Sequence, residues 1–248
     1  GARFQILSCA FLTVALLDFV HTLSYLGMPD LVTPSSPEKA INFWLPARLI
    51  SALALLAVAV LPSQTTLSRQ NRWLVLAVTL VAASVVVIIG LFFPNTAPRT
   101  FIPGQGLTLF KIGVEHVVVA IGGVTLAILI RGWRREHNPF QTLLITGLWI
   151  LLLGELNFTL YATVTDLHNL LGHVFKTWGE CFIFWAVYTQ AMEQPYRLLA
   201  RNEARTQTLL RENQLLLDSA FVGIFFVKDR RILRANRLAE TLFGYAPG

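Results

Sequence analysis

Apolar residues run along this chain in six blocks: Phe4 to Leu26, Ile41 to Leu61, Trp73 to Phe93, Leu107 to Ile130, Phe140 to Tyr161 and about Leu167 to Met192. Each exceeds the roughly 20 residues that a helix rising about 1.5 Å per residue needs to cross about 30 Å of hydrocarbon. The pattern therefore predicts six membrane-spanning helices. The links between them are short and rich in breakers, such as Pro62 with Ser63, Pro94 to Pro98, Pro103 to Gly106, and Asn138 with Pro139. After Pro195 the pattern changes. Leu199, Asn202, Thr206, Leu209, Asn213 and Leu216 take alternating a and d positions of a seven-residue repeat. That seam is half polar, so it reads either as a weak coiled coil, in which a buried Asn fixes register, or as a solvated linker helix. Gly223 to Val227 and Arg231 to Ala235 then read as short strands around a charged turn, with Asn236 as the N-cap of a following helix.

Composition agrees with the pattern. Hydrophobic residues make up 54% and charged residues 14%, and the mean hydropathy is +0.59, which places the chain among integral membrane proteins. The formal charge of +6 changes the picture only through its location. Arg69 and Arg72, then Arg131, Arg134 and Arg135, then Arg197, Arg201, Arg205 and Arg211 flank the spans at alternate links. The remaining links carry Lys39, Arg99 or no basic residue. The basic set marks the cytoplasmic side, with the C-terminus there, and is no signature of nucleic-acid binding. Cys9 and Cys181 lie inside apolar blocks and read as core thiols. No initiator Met or signal-peptide layout is present, and the last residues fall inside a soluble motif, so both ends read as cuts in a longer protein.

Against this apolar background the ionisable residues stand out. Asp18, His21 and Tyr25 share one helix face at i, i+3 and i+7. With the orientation above, depth from the outer helix ends is roughly 7 Å for His21, roughly 9 Å for Glu155 and His173, and roughly 10 Å for Arg48. Asp18, Glu115, His116 and Lys176 follow at roughly 12 to 14 Å. Five of the six blocks thus place ionisable groups at one level of the outer leaflet, and the third block places none. Groups at such a depth face a partner or a wet cavity. The candidate ligand-binding residues are Asp18, His21, Tyr25, Arg48, Lys111, Glu115, Glu155, Tyr161, Asn169, His173 and Lys176. His21 and His173 with Glu155 are a candidate metal or haem-iron set. Arg48, Lys111 and Lys176 could alternatively meet an anionic group, and Glu115 and Glu155 could simply neutralise those cations. Trp44, Trp73, Trp133 and Tyr161 read as interface anchors. Zinc-protease, Cys-x-x-Cys, nucleophile-elbow and phosphate-loop motifs are all missing, so membrane-embedded catalysis has no support in the sequence. A transporter or proton-conducting bundle, with Asp18, Glu115 and Glu155 as a relay, is the alternative to a sensor.

Several of these polar positions recur as a known series. The run from Asp18 to Met28, Thr33 to Ser36, Phe43 and Trp44 with Ala47 and Arg48, Lys111 with Glu115, Glu155 with Phe158 and Tyr161, and Asp166 with Asn169, Gly172, His173 and Lys176 resemble the motifs of the third class of membrane-associated sensor (MASE) domains. The stretch from Leu217 to Tyr245 resembles the opening of a PAS domain. The resemblance implies an input domain over residues 1–194, a signalling helix over 195–217 that pairs with a second copy, and an incomplete PAS domain over 218–248. It also implies a bacterial or archaeal cytoplasmic membrane, and a parent sensor histidine kinase or diguanylate cyclase whose output domain lies in the same polypeptide. Family members usually carry a further apolar helix before the first one here, making seven spans. The expected fold is an all-α polytopic bundle, a coiled-coil helix and the start of an α+β domain.

Overall fold

The computed structural model describes residues 1–62, 65–161 and 165–244, and only the backbone of 136, 193 and 194. It divides into a helical unit, Gly1–Ala191, and a second unit, Met192–Gly248.

The first unit holds α1 (Ala2–Leu23), α2 (Pro37–Val60), α3 (Arg69–Phe92), α4 (Leu109–Glu136), α5 (Pro139–Phe158) and α6 (Leu167–Tyr188). A two-residue hairpin, β1 (Phe101–Ile102) and β2 (Gly106–Leu107), lies in the α3–α4 link. Helix starts follow local chemistry. Side chains of Ser36, Ser68, Thr108, Asn138 and Asp166 each accept a hydrogen bond from a first-turn amide, and Pro37 and Pro139 open α2 and α5. The cap at Ser36 is why α2 begins four residues before its apolar block.

Packing runs α3 against α1, then α1 to α2, α2 to α4, α4 to α5 and α5 to α6, with α6 returning to α1. One half of the bundle is filled by an apolar cluster that includes Leu7, Leu55, Val58, Leu126, Leu144, Leu148 and Ile183. Helix α3 stands at the edge, burying only Ala83 and Leu91, although the Thr13 hydroxyl of α1 donates to its Thr79 carbonyl at 3.1 Å. Among the described residues five helices, α1 to α5, are long and apolar enough to cross a membrane. The sixth block falls short of that measure because His168, Asn169, His173, Lys176 and Glu180 interrupt it. Two expectations change here. Cys181 is exposed, so of the two thiols only Cys9 belongs to the core. His116 is exposed too, because one residue beyond Glu115 turns it about 100° around α4 and away from the bundle.

Helix α6 lies against α5 through glycines. A Cβ at Gly147 would stand 2.9 Å from the Gly179 carbonyl oxygen, and one at Gly179 would stand 2.6 Å from Leu151 Cγ. Backbones approach this closely only where no side chain intervenes, which is the small-residue rule of helix association in lipid.

A π-helical turn, Thr189–Glu193, follows α6 in the chain and precedes α7 (Gln194–Ser219) of the second unit. Pro195 cannot donate to the carbonyl four residues back, which accounts for the irregular turn. Strands β3 (Phe225–Lys228) and β4 (Arg231–Ala235) pair antiparallel about Asp229 and Arg230, both at positive φ, and α8 (Arg237–Phe243) follows. Asn236 knots this unit together: its amide donates to the Leu217 and Val222 carbonyls, and its oxygen accepts from the Ile224 and Ala239 amides. The strands match the sequence expectation to within two residues.

Gly179→Leu should separate α5 from α6 and cost about 1–3 kcal/mol or more, read as a fall in the unfolding midpoint in detergent. Gly123→Ala, where a Cβ meets nothing within 4 Å, should leave the midpoint unchanged or higher.

Candidate functional site

On α2, Ala40, Trp44 and Arg48 follow one another at four-residue spacing and share a face. Asp18 and His21 on α1, and Asn169, His173, Lys176 and Glu180 on α6, are spaced by three or four residues in the same way. The three faces converge. Arg48, only 2% exposed, places Nη2 3.1 Å from Asp18 Oδ2 and Nη1 3.3 Å from Glu180 Oε1. Lys176 Nζ lies 2.7 Å from Asp18 Oδ2 and 3.9 Å from Glu180 Oε1. Helices α1, α2 and α6 are thus joined by one network of two cations and two carboxylates.

Trp44 is the platform beneath it. The Arg48 guanidinium and the Lys176 ammonium stand 4.6 Å and 4.4 Å from the indole centroid, where the negative face of the ring favours cations. His21, His173 and Phe158 surround the same indole at centroid distances of 5.3, 5.5 and 4.6 Å. His21 Nδ1 donates to the Ala40 carbonyl at 2.7 Å; a carbonyl only accepts, so the hydrogen sits on Nδ1 and the neutral ring keeps Nε2 as an acceptor. Trp44 is 4% exposed. It is a buried centre of the site and no interface anchor, and Tyr161, also buried, is likewise none.

A second pair closes the other wall. Lys111 Nζ sits 2.6 Å from Glu115 Oε1, donates to the Phe158 carbonyl at 2.6 Å, and lies 4.5 Å from the Tyr161 ring centroid. Both members of the pair are fully buried. Among the described residues no group donates a well-formed hydrogen bond to Glu115 Oε2, nor to Glu155 Oε2.

Between these walls lies a cavity of about 30 Å³, to which His21, Tyr25, Glu115, Tyr161, Asn169 and His173 contribute. The loop that supplies Tyr25 is tied down by Lys39, whose ammonium donates to the Leu31 and Thr33 carbonyls at 2.7 Å each, and by the Ser36 amide donating to the Ser24 carbonyl at 3.2 Å. Six of the eleven expected residues therefore meet at one cavity. Asp18, Arg48 and Lys176 lie behind its Trp44 wall, and Lys111 is paired to its Glu115.

The candidate metal set is not assembled. Glu155 lines a separate small cavity with Arg48 and Ser51, away from the two imidazoles, whose centroids are 6.5 Å apart. Among the described residues no three His, Cys, Asp or Glu side chains come together to hold an ion. A haem does not fit either, since even drug-sized ligands occupy pockets of about 300–1,000 Å³. An anionic ligand is disfavoured because the cations are already engaged by carboxylates, a carbonyl and aromatic faces. Four carboxyl groups, Asp18, Glu115, Glu155 and Glu180, stand among three basic side chains, Arg48, Lys111 and Lys176. Glu180, Trp44 and Phe158 are the participants that sequence reasoning left out of the site; the four-residue spacing of Ala40, Trp44 and Arg48 was the available signal for Trp44.

Arg48→Met should destabilise the bundle by up to about 3–5 kcal/mol, because it leaves Asp18 and Glu180 to share Lys176 as their one remaining cation. Adding Asp18→Asn to it should restore part of the loss. Thermal unfolding of the detergent-solubilised variants checks both.

The family model of the membrane-associated sensor domain MASE3 matches residues 1–195. No curated protein and no solved structure matches the chain. The matched stretch contains α1 to α6 and every member of the polar network. The chain therefore belongs to the MASE3 family of membrane-associated sensor domains.

Proposed function

We propose that residues 1–194 form the six-span input domain of a sensor histidine kinase or diguanylate cyclase in a bacterial or archaeal cytoplasmic membrane. Residues 195–217 then pair with the same helix of a second copy in the cytoplasm, and residues 218–248 begin a PAS domain. The observation that carries the reading is the cavity between His21, His173 and Glu115. It gathers hydrogen-bonding groups from α1, α4 and α6, beside a loop tied shut by Lys39. Its size selects a ligand of one or two water-sized groups, and the acceptors offered by His21 Nε2 and the Glu115 carboxyl select a hydrogen-bond donor. A ligand held between His21 of α1 and His173 of α6 stabilises one spacing of those helices over another, which is the differential contact that signalling requires. The half-polar seam of α7, with Asn202 and Asn213, suits a helix pair with two accessible arrangements.

The conducting alternative has less to support it. A relay through Asp18, Glu115 and Glu155 would have to continue into the half of the bundle filled by Leu7, Leu55, Leu126, Leu144 and Ile183.

In the full-length protein, replacing His21 and His173 together by Ala should lower the stimulus-dependent change in output at least tenfold while membrane insertion and basal output persist. A response that survives the double substitution overturns the assignment of the cavity.

A further inference from the structure

Arginine carries its N–H groups in a rigid fork, and burial obliges the protein to answer each side of it. The two terminal nitrogens of Arg48 face Glu180 and Asp18. Its Nε–H is buried as well, and among the described residues it finds no acceptor. Glu155 of α5 supplies the complement: it is 6% exposed, and its Oε2 is buried and takes no hydrogen bond from the described residues. Such atoms forfeit hydration without recovering a hydrogen bond, so native proteins leave few of them. Both side chains line one cavity of about 20 Å³, which Ser51 of α2, Gly122 of α4, and Leu148 and Leu151 of α5 help to wall. It is separate from the cavity at His21.

We propose that this cavity binds a single water molecule, which accepts from Arg48 Nε and donates to Glu155 Oε2. A water needs about 10–15 Å³ of such space and two to four polar partners, and the Ser51 hydroxyl stands at the same cavity as a third. The two side chains also decide against other small occupants. Arg48 repels a cation, Glu155 repels an anion, and an apolar molecule leaves both atoms unmet. What remains is a neutral species that accepts and donates at once. The bridge completes the answer to Arg48 and brings a fourth helix into the network, because Glu155 stands on α5, which follows α4 rather than α2 in the packing order. Leu55, Leu148 and Leu151 of the apolar cluster line the cavity too, so the water is a structural bridge between helices and no step of a proton wire.

The test is X-ray footprinting of the detergent-solubilised chain, in which radiolysis turns bound water into hydroxyl radicals that oxidise the side chains beside it. Leu148 and Leu151, buried but lining the cavity, should be oxidised, whereas Leu144, buried in the same apolar cluster and off the cavity, should not. Ser51→Val keeps Arg48 and Glu155 and fills the space with a methyl group, so it should abolish the labelling of Leu148 and Leu151. Labelling of these two no stronger than that of Leu144 in the unsubstituted chain overturns the proposal. So does labelling that persists in Ser51→Val while Leu144 stays unlabelled. A cryo-microscopy map of the unsubstituted chain tests the site without any variant. It should show a solvent peak within hydrogen-bonding distance of both Arg48 Nε and Glu155 Oε2, and direct contact between the two side chains, or a map without that peak, overturns the bridge.

Discussion

An arginine inside an apolar bundle must have its charge answered by the protein, and the arrangement of this domain follows from how Arg48 is answered. Its two terminal nitrogens reach carboxylates on two different helices, Asp18 of α1 and Glu180 of α6. Neither carboxylate could be supplied by α2 itself, so burying Arg48 commits three helices to one mutual placement. Lys176 shares Asp18 and so adds a second link between α1 and α6. In an aqueous protein such links contribute little net stability; in hydrocarbon the alternative is an unanswered charge, which makes them specific.

Small residues complement that network. Gly147 and Gly179 let α5 and α6 touch backbone to backbone, and this contact makes room for a helix that carries as many polar groups as α6 does. Gly172 serves similarly, since a Cβ there would stand 2.5 Å from the Phe158 ring, the ring that packs edge-on against Trp44 and His173. The aromatic enclosure of the cavity therefore depends on a missing methyl group one helix away.

Much of this could be read from the chain. The apolar blocks located all six helices because their breakers are caps, as with Ser36 before Pro37 and Asn138 before Pro139. Depth along the helix brought Asp18, His21, Arg48, Glu115 and His173 to one level. Rotation about the axis was harder. His116 has the depth of Glu115 and the opposite facing, and Glu155 has the depth of His173 and a different cavity. Which cation answers which carboxylate depends on helix neighbours, and an aromatic residue near a helix end looks the same whether it meets lipid or, like Trp44, two cations and two imidazoles. The size of the cavity, which decides against a macrocycle, comes from side-chain packing and left no trace in spacing or composition.

Helix α3 carries a consequence of a different kind. Over 24 residues it buries two, Ala83 and Leu91, so little of its surface is judged by the other helices of the bundle. Where that surface meets lipid, a side chain need only be apolar, a condition many sequences meet equally well. Packing within the bundle therefore constrains α3 little, whereas α2, with Arg48, Trp44 and a buried face along its whole length, admits few substitutions. The domain thus contains one helix free to drift and one nearly fixed, and a distant relative is better recognised by its α2 than by its α3.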